Sequence, residues 1–159
     1  MILPLLLALQ AAPAAPIQRG TALPPPGTEE AAVMAPVNAL LAALAKDDGA
    51  AVLALTLPEG TITAARTGPD GRRQRRTLRW AEFAAQLKPD GTRLEERLGT
   101  PAIEIDADIA MVWAPYVVLV DGKLTNCGYD HFDLVRGDAG WKLLNVTYSH
   151  RTDGCRVDP

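Results

Sequence analysis

C-G-Y-D-H-F-D-L-V-R at residues 127–136, followed by G-W-K-L-L-N-V-T-Y at 140–148, decides the architecture of this chain. Both segments are rich in β-branched and aromatic residues and alternate between apolar and polar side chains. That is the period of a half-buried strand. Asp138-Ala139-Gly140 turns the chain between them. Upstream, D-I-A-M-V-W-A-P-Y at 108–116 opens another long apolar strand, and Asp121-Gly122 is a hairpin signal that returns it. Strands are expected at about 93–99, 102–106, 109–120, 123–136 and 140–151. Pro115 cannot donate to a ladder, so a bulge or bend is expected there.

Working outward, the earlier half reads as helices and one hairpin. Thr28 is a suitable N-cap, and Glu29 and Glu30 complement the helix dipole in the first turn. Val33, Val37, Leu40, Leu41 and Leu44 form one stripe at helical spacing. Pro36 either kinks this helix or marks its start. A second short helix is expected at 49–56, and a third at 80–87 with Trp80, Phe83, Ala84 and Leu87 on one face. Between them, 60–66 and 72–78 read as a hairpin around the turn cluster T-G-P-D-G at 67–71. Helices followed by a meander of long strands predict an α+β domain: a mostly antiparallel, strongly curved sheet with about three helices on its concave face.

The chain of 159 residues can bury one proper core. Its net charge of −3 and pI near 5.3 speak against a nucleic-acid-binding protein. Residues 1–9 are almost wholly apolar, and Ala12-Pro13-Ala14 supplies small residues of the kind a signal peptidase reads. The run is too short for a membrane span. Residues 1–14 are therefore expected to be a signal peptide, 15–28 a Pro/Ala-rich linker, and 29–155 the domain, placed in the periplasm or outside the cell. No Lys or Arg precedes the apolar run, a departure from the usual signal pattern. The two cysteines, Cys127 and Cys155, suit one disulfide in that compartment. Position 127 falls opposite about 150, so the tail must fold back to close it.

P-E-G-T-I-T at 58–63, R-R-T-L-R-W-A-E-F at 75–83, L-E-E-R at 94–97 and the three strand segments above carry a resemblance. Over about residues 30–151 the chain resembles the nuclear transport factor 2-like superfamily, in particular small exported proteins similar to polyketide cyclases. The resemblance implies a cone-shaped scaffold with a pocket between sheet and helices. It does not imply one activity, because that scaffold hosts isomerases, dehydratases, cyclases and non-catalytic binding domains.

Alternation places Asn126, Gly128, Asp130, Phe132 and Leu134 on one face, expected to look inward. Asp130 is then the candidate general base, since a carboxylate in an apolar pocket holds its proton more tightly. Asn126 occupies a place where the resemblance implies histidine, and asparagine cannot titrate. Tyr116 and Tyr148 are candidate hydroxyl donors to a ligand. Trp113 joins them only if a bulge at Ala114-Pro115 turns it inward. His131 and His150 fall out of register with each other, so no metal site is expected. No cofactor motif appears. The arginines at 72, 73, 75, 76 and 79 read as the charged guard of an edge strand.

Three functions follow. The first is a pocket binding a small apolar or amphipathic ligand without catalysis. The second is an isomerase-, dehydratase- or cyclase-type enzyme using Asp130. The third is a module whose open sheet face pairs two copies. The missing histidine favours the first.

Overall fold

The computed structural model describes residues 24–157. The expected signal peptide and most of the linker lie outside these residues. Thr28 caps α1 (Glu29–Leu44), its hydroxyl accepting from the Ala31 N–H at 3.2 Å. The helix runs through Pro36 rather than starting there, and the ring is buried with Val33, Met34, Val37 and Leu40. Asp48 caps α2 (Gly49–Leu55) through the Ala51 N–H at 2.9 Å. The chain then enters β1 (Thr56–Thr67), β2 (Arg73–Arg79) and the single turn of α3 (Trp80–Ala84). The meander follows as β3 (Leu94–Leu98), β4 (Ala102–Asp106), β5 (Ile109–Val120), β6 (Lys123–Gly137) and β7 (Gly140–His150).

The seven strands form one open sheet in the order β2-β1-β7-β6-β5-β3, with β4 also on β5. Every pair is antiparallel except β1 with β7, which is parallel. β2 is the edge strand, and its arginines are exposed, as charge on an unpaired edge should be. The helices cover one sheet face. Val33, Val37 and Leu40 of α1, Val52 of α2 and Trp80 of α3 pack with Ile62, Val112, Phe132, Leu134, Leu143 and Val146.

The proline bulge is not there. β5 and β6 stay in register from Ile109↔Val135 through Val118↔Asn126, and the irregularity comes only after Val118. The reason lies on the other side of β5. Its neighbour changes from β4, which ends its pairing at Trp113, to β3, which begins at Tyr116. Pro115 occupies the gap, where no strand residue asks for its N–H. Its carbonyl is still used, accepting from the Gly99 N–H at 2.8 Å.

A second irregularity ties the helices to the sheet. β1 shifts register against β7 between Thr56 and Thr61, and Leu144 falls at the register shift of β7 against β6. The Trp80 indole N–H donates to the Leu144 carbonyl at 2.8 Å. A Cβ at Gly60 would overlap that carbonyl and come within 2.9 Å of the indole nitrogen, so only glycine fits beneath the ring. Asn145 closes the other end of the bulge: its side-chain oxygen accepts from the Thr61 N–H at 3.1 Å and the Thr61 hydroxyl at 3.2 Å.

On the opposite sheet face, Cys127 and Cys155 form a disulfide, packed against Val117 and Leu119. Cys127 and Arg151 exchange both backbone hydrogen bonds at 3.0 Å. The chain then turns through Gly154, at φ 64°, to bring Cys155 back.

Candidate functional site

Between α1, α3 and the concave sheet face lies a cavity of about 280 Å³. Its upper wall is apolar: Leu40, Leu41 and Leu44 from α1, Phe83 and Leu87 from α3 and the residues after it. Its floor is the inner row of the sheet. There Asp130 and Asn126 on β6, Tyr116 on β5, Glu96 on β3, and Tyr148 and His150 on β7 face one space. The strand alternation read from the sequence puts Asn126 and Asp130 there: Asp130 is 3% exposed, while its neighbours Tyr129 and His131 look outward.

Of the five residues expected at a ligand site, the structure brings four together. Trp113 is the exception. Without a bulge its side chain stays on the outer face, 42% exposed, stacked on Tyr129 with ring centroids 5.2 Å apart. It lines no part of the cavity.

Tyr116 lies across Gly128, its partner on β6, and donates its hydroxyl to the Ser149 carbonyl at 2.8 Å. A Cβ at Gly128 would overlap that carbonyl and press to 2.8 Å from the Tyr116 ring. The tyrosine is thus an anchor with its proton committed to the backbone. Tyr148 stands edge-on to it, centroids 6.4 Å apart. Among the described residues its hydroxyl has no hydrogen-bond partner, which leaves it the available donor. Burial first, then the Asp130 and Glu96 charges, raises the Tyr116 phenol well above its ordinary value. Burial, then Glu96 and Asp130, also raises Tyr148. Both therefore stay protonated at neutral pH.

Glu96 was not among the expected site residues. It is partly buried and within hydrogen-bonding reach of Asp130. The sequence signal was faint: L-E-E-R puts Leu94 and Glu96 on one face, while Glu95 turns out to pair with Arg97 at 2.6 Å. Asp130 Oδ2 is buried and meets no donor among the described residues. Two carboxylates facing each other cannot both ionise cheaply, and one retained proton lets one carboxyl donate to the other. Burial, then the Glu96 charge, pushes Asp130 up to about 10. Burial raises Glu96 as well.

The folded chain binds more protons than the unfolded chain once pH exceeds about 4, the ordinary carboxyl value. The pair's favourable contribution is full below that and is lost as pH climbs towards the raised folded value. Wild type should therefore melt at lower temperature at pH 8.5 than at pH 5.5. Each extra bound proton sets a slope of about 1.4 kcal/mol per pH unit. Asp130→Asn, which cannot titrate, should flatten the profile. Parallel profiles for the two proteins in thermal melts would show that the pair ionises freely.

Among the described residues no group of three or more His, Cys, Asp or Glu side chains could hold a metal ion. His131 lies on the outer face beside Trp113 and Asp133, and His150 lines the cavity.

No family model matches the chain, and no curated protein does. Solved structures do. A nuclear transport factor 2-like protein from Cytophaga hutchinsonii superposes with TM-score 0.63 at 15% identity, covering 78% of this chain and 99% of that one. A Nostoc punctiforme protein of unknown function with a cystatin-like fold gives 0.63 at 12% identity, over 78% and 92%. The β subunit of a proposed aromatic-ring-hydroxylating dioxygenase from Novosphingobium aromaticivorans gives 0.63 at 16% identity, over 80% and 90%. What these structures share with the chain is the fold.

Proposed function

Starting from a nuclear transport factor 2-like fold, we propose that this protein binds a small, mostly apolar molecule whose polar end rests on Asp130 and Glu96. The observation that carries the reading is the orphaned Asp130 Oδ2, buried in the floor of an otherwise apolar cavity. A buried acceptor without a donor is costly, so a ligand group that donates to it gains what the empty cavity lacks. Tyr148 and Asn126 supply two further polar contacts at the same floor. Binding without chemistry is favoured over catalysis because Tyr116, the oxyanion donor such an enzyme would use, is spent on Ser149. The carboxyl pair supports the second reading, proton transfer by Asp130 to a bound substrate.

The compartment belongs to the same proposal. The disulfide, together with the absence of any described helix long and apolar enough to cross a membrane, is compatible with export. The outer sheet face, with Trp113 stacked on Tyr129 and Ile109 59% exposed, supports the pairing of two copies.

N-phenyl-1-naphthylamine, an uncharged fluorophore, tests the cavity. It should bind saturably at one site per chain. Leu41→Trp, which fills the cavity from α1, should weaken that binding at least about tenfold while the protein remains folded by circular dichroism. Binding that never saturates, or that Leu41→Trp leaves untouched, would place the fluorophore elsewhere and sink the proposal.

A further inference from the structure

We infer that the molecule this cavity takes is an amine: a basic nitrogen on an apolar body, its ammonium seated between Asp130 and Glu96. The inference rests on the reading that the cavity binds a small molecule, and it adds the sign of the ligand's charge.

The first ground is donor and acceptor supply. Asp130 is 3% exposed, and its Oδ2 meets no donor among the described residues. Its polar neighbour, Glu96, is a second carboxyl. Even with one proton shared between them, the two carboxyls present more acceptor sites than donors. An ammonium brings three donors and no acceptor, and can satisfy both carboxyls at once. A hydroxyl brings one donor. A carboxylate or phosphate brings none and sets a further negative charge against the pair.

The second ground is the missing counter-charge. The residues that line this cavity include neither Lys nor Arg. A carboxyl pair that keeps one proton still carries one negative charge once the other is lost, and no Lys or Arg of the lining meets it. Asp47, in the turn after α1, adds another carboxylate to the wall.

The third ground is the surrounding surface. Phe83, Phe132, Tyr116 and Tyr148 line the same space, and aromatic rings accept an ammonium on their faces.

The groups facing the pair from each packed element fit this charge. Asp47 comes from the turn after α1, Tyr116 from β5, and Tyr148 and His150 from β7. Arg66 on β1 and Arg76 on β2 line a separate cavity on the other side of Tyr148 and His150. They are exposed and hydrogen-bonded to Gln74 at 2.8 Å and Gln86 at 2.9 Å. Arg151, past the end of β7, is exposed as well.

Three probes with one phenylethyl body and differing charge decide the matter: 2-phenylethylamine, 2-phenylethanol and 3-phenylpropionate, titrated by calorimetry at pH 7. The amine should bind at least about tenfold more tightly than the alcohol, with the carboxylate weakest. In Asp130→Asn, and separately in Glu96→Gln, the ratio of amine to alcohol affinity should fall towards one. Two variants keep the test decisive if one of them fails to fold. An alcohol that binds as tightly as the amine would overturn the amine inference and leave the binding cavity standing. So would an amine preference that survives both substitutions, or a carboxylate that binds best. A protein that takes up none of the three probes overturns both readings.

Discussion

Trp80→Ala should cost about 3–5 kcal/mol of stability, among the largest effects available from one substitution in this chain. The indole is fully buried at the start of α3, edge-on to Phe83 with centroids 6.1 Å apart. Removing it opens a cavity among Val33, Val52, Ile62 and Leu143, and rigid strands and helices collapse into such a space only partly. The loss does not stop at packing. The Leu144 carbonyl depends on the indole N–H, and a carbonyl left without a donor beneath α3 adds its own desolvation cost. Trp80→Phe separates the two parts, since it keeps most of the ring and deletes the N–H. Urea unfolding of the three proteins measures both. A cost for Trp80→Ala below about 1 kcal/mol would mean that the cavity refills and that the indole does not hold the sheet to the helices.

Removing the disulfide by Cys127→Ala together with Cys155→Ala should cost about 3.5 kcal/mol. The bridge spans a sequence separation of 28, and the chain-entropy relation gives that magnitude for a loop of this length. Alanine is the suitable replacement because Cys127 is 3% exposed among apolar neighbours, where serine would bury a hydroxyl. Wild type in reductant should lose stability towards the double variant, and the variant should not respond. Two thiols open to alkylation in the protein as isolated would refute the bridge and remove its support for export.

Much of this was written locally and some of it was not. Asp130 could be placed inward because alternation from Asn126 to Leu134 is unbroken, and one slip would have exposed Phe132 and Leu134 as well. Asn126, Tyr116 and Tyr148 followed by the same rule. Trp113 could not be placed, because its face depended on whether Pro115 bulged its strand. That in turn depended on what β3 and β4 do on the far side, which no local pattern records. Glu96 was hidden by its neighbour: two consecutive glutamates look equally solvated until the sheet sets one against Arg97 and the other against Asp130. The parallel pairing of β1 with β7 joins segments more than seventy residues apart and leaves no trace in either. It bends the reading of an antiparallel meander at one seam only. The seam is nonetheless where the Trp80 and Asn145 contacts gather.

That seam also sets the order in which the molecule can be built. β1 and β2 leave the ribosome early, yet the inner edge of β1 has no partner until β7, the last strand of the sheet, is available. A two-stranded hairpin alone is marginal in water, so the early segment gains little by folding while it waits. Closing the sheet then joins distant parts of the chain in one late step, a topology that folds slowly. For the exported protein proposed above, the delay has a use. A polypeptide that cannot finish its sheet until β7 has been made would remain threadable through a narrow channel, and would commit to its shape on the side where its cysteines can join.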